Sequence, residues 1–579
     1  MPLSSPRLRW LRNERVMVSL GAVIYACVFA YPVLTHLSTP GTLWDWDLEL
    51  GQEWAAWETV TVFKQIPLWN PYKCGGLPML AHPLGRVVAP TFPLTLMFGP
   101  AAGLHLSILM FLAIAWSGTY VLARALSMRP LAALGAAFVF PSSSWFALQV
   151  GSGHIWTFGF ACLPWQAAFA ILAVERRRTG FAVLAGFALA VGFLEGGPYP
   201  LALCGLTIAM LLATVAALRR SWWPLYVLGV IFCFAVGLSA IKLLPAYFVS
   251  ISVPRRTAGD EVNTLAALAT DLFSRTQNLF LPFPNGFNFW ESGAYIGLFA
   301  LPAVASVFTP RRSAAWLIVG AILLLLERGA LPPLPLWPYL HHLPPFSSLR
   351  VPSRFIICFA LVVAILAGFG FDWLAARARP WGAIAASLLM VAAATDCWLV
   401  AVSIYGGIFS YPAHPGPAMA SFRQIRNVPN TNSMLLPAMQ NEGILVCYEY
   451  TYWPTSAVGF GQPGYRGEQY LLGPGSVTLV RWTPNRLEYA VDAQAPSVMV
   501  VNQNYDPSWR VTSGPSQTFS QDGLLAVRVP AGKSRIVLRY ISIATICGMI
   551  ISILTAIAAF VLIRWESQRP ASETRNFDT

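Results

Sequence analysis

Charge is what this sequence has least of. Only 11% of its 579 residues are Asp, Glu, Lys or Arg, whereas soluble globular proteins carry about 25%. Hydrophobic residues make up 56% and the mean hydropathy is +0.57, which excludes an ordinary soluble domain and assigns a polytopic membrane protein. There is no P-loop to mark a nucleotide fold, and no His/Cys spacing suits a metal. No Ser/His/Asp set, long repeat or low-complexity tract appears. Cysteines are nine, and Cys27, Cys162, Cys204, Cys233, Cys358, Cys397 and Cys547 fall inside apolar segments, against a disulfide scaffold. Cys74 and Cys447 alone lie in regions read as outside the membrane, where a disulfide between them stays open because sequence does not fix its geometry. The net charge of +13 comes in short clusters between apolar runs, which speaks for topology and against nucleic acid.

Those runs are what is there. Arg7, Arg9, Arg12 and Arg15 precede an apolar stretch at 16–37, read as an uncleaved first span because it is long enough to cross and lacks a small-residue cleavage site. Further spans are expected at 102–123, 131–150, 157–174, 180–195, 198–218, 224–247, 293–309, 313–327, 355–376, 381–404 and 541–563. The fifth and sixth are short and joined by Glu195-Gly196-Gly197-Pro198, so they read as half-helices or a broken pair. With about twelve spans, every Arg-rich turn falls on one side: Arg124/Arg129, 175–178, Arg219-Arg220, Arg311-Arg312, Arg377/Arg379 and the tail from Arg564. That predicts cytoplasmic termini.

The other side then holds 38–101, 250–292, 328–354 and 405–540. The last differs in kind. Turn signals at Asn485, Asp506-Pro507, Asp522-Gly523 and Gly532 separate alternating runs at 476–482, 487–491, 498–502, 524–529 and 535–540. This predicts a small antiparallel β domain of sandwich type. The expected organisation is a transmembrane domain over 1–404 with a large first outer loop at 38–101, a β-rich domain at 405–540, a final span at 541–563 and a disordered tail at 564–579.

Candidate chemistry concentrates in the first outer loop. If the chain is helical past Trp44, then Asp45, Glu49 and Glu53 share a face, with Trp46, Leu50, Trp54 and Trp57 on the headgroup layer. Such a face is either a solvated acidic surface with an aromatic belt or the seat of a general base, which takes a proton from an acceptor hydroxyl as it attacks a sugar's anomeric carbon. Lys242, Arg255, Arg256, Arg275, Arg350 and Arg354 are outer-side cations. Arg350 and Arg354, one turn apart at the head of a span, suit a lipid phosphate or a snorkelling anchor. Glu195, Glu291, His82, His154, His341 and His342 are weaker polar candidates near the same surface.

Several segments taken together resemble a known family. The acidic loop resembles that of the GT-C superfamily, polytopic glycosyltransferases that use polyprenyl-phosphate sugars. The finer resemblance is to YfhO-type bacterial membrane proteins. It rests on Pro67-Leu68-Trp69-Asn70-Pro71 with Gly75-Gly76-Leu77-Pro78, on Leu243-Leu244-Pro245 leading to Arg255, and on 291–298. Phe346 to Phe355 and Asn504-Tyr505-Asp506-Pro507-Ser508-Trp509-Arg510 with Val529-Pro530-Ala531-Gly532 complete it, in order along nearly the whole chain. The resemblance implies a GT-C-like membrane fold in the bacterial inner membrane with its site and β domain on the periplasmic face. It implies inverting transfer from a polyprenyl-phosphate-linked donor to a cell-envelope glycan, lipid or protein. Asp45 or Asp47 would be the base, with Asp45 preferred as closer to the helix end. Arg350 and Arg354 would hold the donor phosphate with Arg255 and Arg256. Glu49, Glu53, His82, Glu291 and Tyr295 would line the substrate site, and Trp44, Trp46 and Trp69 would stack on sugar faces. No cofactor is required on this reading, since the lipid phosphate leaves unaided, although clustered carboxylates can hold Mg²⁺ or Mn²⁺. Two rivals stand beside it: a flippase for a lipid-linked glycan, and a non-catalytic envelope assembly protein.

Overall fold

The computed structural model describes residues 14–39, 45–277, 279, 289–377, 380–409, 416–426, 434–447, 449, 453–514 and 516–568. Among them, ten helical stretches are long and apolar enough to cross a membrane: Pro100–Ala125, Pro130–Ser152, Ile155–Arg176, Thr179–Gly196, Pro198–Arg219, Trp223–Ser252, Phe289–Phe308, Pro352–Ala376, Trp381–Tyr405 and Ile543–Gln568. Each overlaps an expected span. The other two expected spans are lesser elements. The first is a short helix, Arg15–Phe29, followed by Tyr31–Thr35, where Pro32 opens the second piece. The other, Pro310–Glu327, carries Arg311, Arg312 and Glu327. The supposed half-helices are two full helices. Gly197, at φ +76°, turns the chain between Thr179–Gly196 and Pro198–Arg219, and Pro198 suits the first turn of the second.

Helix Phe355–Ala376 is apolar all round and buried on nearly every face, which makes it the centre of the bundle. The last helix, Ile543–Gln568, lies along Trp223–Ser252, where the Ser552 hydroxyl inserts toward the Gly237 and Leu238 carbonyls at 3.2 and 3.0 Å. Its Glu566 accepts the amides of Thr179 and Gly180 at 2.8 and 2.7 Å, filling donors left open where that helix starts.

Two four-stranded antiparallel sheets form a sandwich. One runs in the order 518–521, 524–529, 497–504, 469–471, the other 475–483, 486–493, 532–540, 509–513. Asp522 and Gly523, both at positive φ, close the 518–529 hairpin, as a two-residue Asp-Gly turn does. Met499, Leu525, Val527, Tyr489, Ile536, Leu538 and Trp509 fill the interior. Trp69 joins them: a hairpin of the first loop, Trp69–Asn70 with Leu77–Pro78, pushes its indole against Trp509 and Tyr540. Trp69 is therefore a core residue of the sandwich, 1% exposed, and not a surface on which a sugar could stack. The disulfide Cys74–Cys447, with Cα atoms 5.4 Å apart, ties the same loop to the segment before the sandwich.

The acidic segment is helical over Trp46–Thr61, but it does not lie on a lipid surface. Trp46 and Leu50 are buried, and Glu49 and Glu53 are buried too. Its acidic stripe faces inward, where Lys73 and Arg86 supply counter-charge. Trp46 is 0% exposed, packs edge-on to His105 and donates its indole N–H to the Val150 carbonyl at 2.8 Å. It too offers no sugar platform.

Candidate active site

The first residue of that stripe, Asp45, stands at the start of the helix, and the Ser152-Gly153-His154 turn between two spans presses against it. The Asp45 amide donates to the Ser152 carbonyl at 3.0 Å. Gly153 has φ +81°, and a β-carbon there would collide with the Trp46 amide nitrogen and the Asp45 carbonyl carbon. Only glycine allows this approach, which brings His154 Nε2 to 3.4 Å from Asp45 Oδ2. Burial pushes the Asp45 carboxyl up to about 6, and Glu291 adds to the rise while Arg354 and Lys73 oppose it. Burial also drives His154 down to about 3, so its ring is neutral.

Beside the pair stands a cationic wall. Arg354 clasps Glu291, Nε to Oε2 at 2.7 Å and NH2 to Oε2 at 2.5 Å. Its guanidinium also lies 4.5 Å from the Trp156 ring centre and 4.4 Å from that of Tyr199. The Trp156 ring in turn lies tilted against that of His154, their centres 5.2 Å apart. Arg350 NH2 approaches Glu291 Oε1 at 3.6 Å, and its side chain remains 52% exposed. The loop bearing Arg255 and Arg256 is pinned alongside, since the Thr257 hydroxyl donates to the Leu349 carbonyl at 3.1 Å. Arg256 is exposed and Arg255 partly buried. Glu261 accepts from Ser353 at 2.9 Å, and burial raises it to about 8.

On the other side of Asp45 the stripe continues inward. Glu49 is 2% exposed, its Oε1 has no hydrogen-bond partner, and burial raises it to about 8 against the pull of Lys73. Lys73 pairs with Glu449 at 2.5 Å, and His82 Nε2 meets the other Glu449 oxygen at 2.8 Å. His82 Nδ1 receives the Gln52 amide at 3.0 Å and the Leu84 N–H at 3.2 Å, so Nε2 carries the proton and donates. Glu449 is desolvated, yet His82 and Lys73 hold it well below the usual carboxylate range. Deeper still, Glu53 accepts from Thr95 at 2.9 Å and lies 3.6 Å from Arg86, which also holds Glu195 at 3.1 Å.

The structure thus brings Asp45, Glu49, Glu53, His82, Glu291, Arg350 and Arg354 to one region. It separates others. The Asp47 carboxylate accepts the amides of Met434 and Leu435 at 2.5 and 3.2 Å, at the start of the short helix Leu435–Met439. Tyr295 donates to Asp396 at 2.7 Å, a carboxylate that Arg275 also binds at 2.9 Å. Trp44 lies outside the described residues. Lys73, Glu449, Trp156 and Tyr199 belong to the region without any signature in the sequence. His154 carried one, a Gly-His pair in a tight turn between two spans. Among the described residues, no group of three or more His, Cys, Asp or Glu side chains is arranged to hold a metal ion. Asp45 and His154 make two donors, and Arg354 already occupies Glu291.

No protein-family model matches the chain, and no curated protein matches it. Among solved structures it is similar to the oligosaccharyltransferase of Archaeoglobus fulgidus tethered with an acceptor peptide, at 14% identity and TM-score 0.44, over 76% of this chain and 65% of that one. It is also similar to ArnT from Cupriavidus metallidurans bound to undecaprenyl phosphate, at 13% identity and TM-score 0.45, over 75% and 85%. A third is the arabinofuranosyltransferase AftD from Mycobacteria, at 13% and 0.47, of whose length this chain spans 40%.

Proposed function

We propose that this chain is a membrane glycosyltransferase that moves a sugar from a polyprenyl-phosphate-linked donor to a hydroxyl of a cell-envelope acceptor, with inversion at the anomeric carbon. The reaction would take place on the periplasmic face. The observation that carries the reading is Asp45: a carboxylate at a helix start, raised to about 6 by burial, beside a neutral imidazole and next to an arginine wall. A base poised near neutral pH is what deprotonation of an alcohol in the transition state requires. The ordered motifs that resemble polyprenyl-phosphate-sugar transferases supply the reaction class. The acceptor hydroxyl attacks the anomeric carbon and gives its proton to Asp45, and the bond to the lipid phosphate breaks with its electrons on the phosphate. Arg350, whose side chain is half-exposed, would meet that phosphate, and Arg256 stands exposed on the adjoining loop. Arg354 positions Glu291 and is itself held over Trp156 and Tyr199.

The test uses purified protein in nanodiscs with a panel of radiolabelled polyprenyl-phosphate sugars and envelope extract as acceptor. Wild type is expected to transfer or hydrolyse one donor, and Asp45→Asn to lose this at unchanged melting temperature. Equal activity in Asp45→Asn would remove the base assignment. Movement of a labelled lipid-linked glycan across proteoliposomes without turnover would replace the enzyme by the flippase.

A further inference from the structure

The hydrogen bonds around His154 fix where its proton sits. Gln149 donates its side-chain N–H to the Trp290 carbonyl. Its amide oxygen is thereby turned to His154 Nδ1, 2.7 Å away, and an oxygen can only accept. In a neutral ring Nδ1 then carries the hydrogen, and Nε2 presents a lone pair. That lone pair faces Asp45 Oδ2 at 3.4 Å. An ionised carboxylate opposite a lone pair is unfavourable, and one proton between them turns the contact into a hydrogen bond.

We infer that His154 and Asp45 act as one proton-accepting pair, with Gln149 setting the histidine tautomer, so that the acceptor's proton is taken by the pair and not by an isolated carboxylate. The inference rests on the transferase reading for its purpose and on the geometry for its existence. Before transfer the pair holds one negative charge and no shared proton. The acceptor O–H bond breaks as the new glycosidic bond forms, and the proton comes to rest between Oδ2 and Nε2. The leaving lipid phosphate keeps the bond electrons, so the charge balances. The ring does not reach the acceptor; it is a positioning residue that raises the proton affinity of Asp45. Every charged group facing the pair acts on the same equilibrium: Glu291 and Arg354 act on both members, Lys73 and Glu449 on Asp45, and Arg350 on His154. Glu49, one turn along the helix, couples to Asp45 as well.

Nitrogen NMR of protein labelled with ¹⁵N-histidine, in nanodiscs across about pH 5 to 8, reads the pair without any substrate. His154→Gln identifies its signal among the seven histidines. Nδ1 protonated and Nε2 bare is the expected pattern, with an Nε2 signal that shifts as pH passes about 6 and a shift that is lost in Asp45→Asn. An Nε2–H tautomer, or a titration unchanged in Asp45→Asn, would overturn the inference. In the transfer assay, His154→Gln places an amide that can donate to Asp45. It should move the acidic limb of the rate profile down by about one pH unit and slow transfer above it by about 10- to 100-fold, at unchanged melting temperature. An unmoved limb overturns the inference as well. Should no donor be turned over, the transferase reading is what fails, and the nitrogen signals still decide the pair.

Discussion

The two ends of the helical bundle use the same residue types to opposite effect. At the Arg-rich turns each acid has its partner: Glu14 meets Arg124 at 3.0 Å, Asp372 meets Arg312 at 2.7 Å, and Glu175 meets Arg219. Arg312 and Arg219 are 38% and 48% exposed there, so their ion pairs are partly solvated and weak. At the sheet-domain end the acids are buried and only partly matched. Glu49 and Glu261 each keep one oxygen unsatisfied, and Asp45 faces a neutral ring. Charge that is desolvated without full compensation is costly, and such sites are where catalytic groups collect. What separates the two ends is pairing and burial, which composition cannot show.

Breaking the contrast at its sharpest point is the largest effect expected. Asp45→Asn should lower the transfer rate by about a thousandfold, mid-range for a removed general base, while Asp372→Asn, a partner at the other end, should leave the rate unchanged; initial rates at matched expression check both. Next comes Arg354→Ala. It leaves Glu291, 4% exposed, with only the looser 3.6 Å contact to Arg350, and should cost about 3–5 kcal/mol. Arg312→Ala leaves Asp372 with Arg129, whose Nε lies 3.7 Å away, and should cost about 1 kcal/mol or less. Melting curves of the two variants in the same detergent sharpen the comparison, and equal losses would erase it.

Much of this fold was legible because a bilayer tolerates few structures. Backbone polar groups in hydrocarbon must be satisfied internally, so ten apolar runs became ten helices. The five strands foreseen were those with alternation and turn residues. The three missed strands of the sandwich, Gln469–Leu471, Trp509–Ser513 and Thr518–Gln521, are at most five residues long, too short to show a period. Of the candidate site, the acidic helix was named from the sequence, and Arg350, Arg354, Glu291 and His82 beside it. Asp45 announced itself by its position, but that Glu449 would meet His82 across 367 residues is a tertiary fact with no local cause. Trp69 misled for a related reason: an aromatic in a loop rich in carboxylates reads as a sugar platform until a sandwich closes over it.

The buried acids also predict how stability responds to pH. Asp45 at about 6 and Glu49 at about 8 lie above their values in an unfolded chain. The folded state therefore binds their protons more tightly, and the stability this gives is present at acid pH and is lost as pH rises through about 6 and then about 8. Glu449 has the opposite sign: it is held low, so its contribution is present above about 4.5 and lost as pH falls below that. Melting temperature should accordingly decline from about pH 5 to 9, and Glu49→Gln should flatten the upper part of that decline. A wild-type profile that rises over this window would contradict the burial of Glu49.

The smallest effect belongs to the nearest neighbour. Residues two apart on a helix point about 200° apart, so Asp45 and Asp47 cannot serve one site from one helix. Asp47 in fact turns to the Met434 and Leu435 amides, where its carboxylate acts as a cap for a five-residue helix. Asp47→Asn keeps one acceptor oxygen for those amides. It should cost about 1 kcal/mol or less and leave both the transfer rate and its pH profile as in wild type. Two aspartates that look interchangeable in the sequence would then differ by about three orders of magnitude in rate. A comparable loss in Asp47→Asn would mean that the 434–447 segment, held down by the Cys74–Cys447 disulfide, shapes the site through the helix start it shares with Asp45.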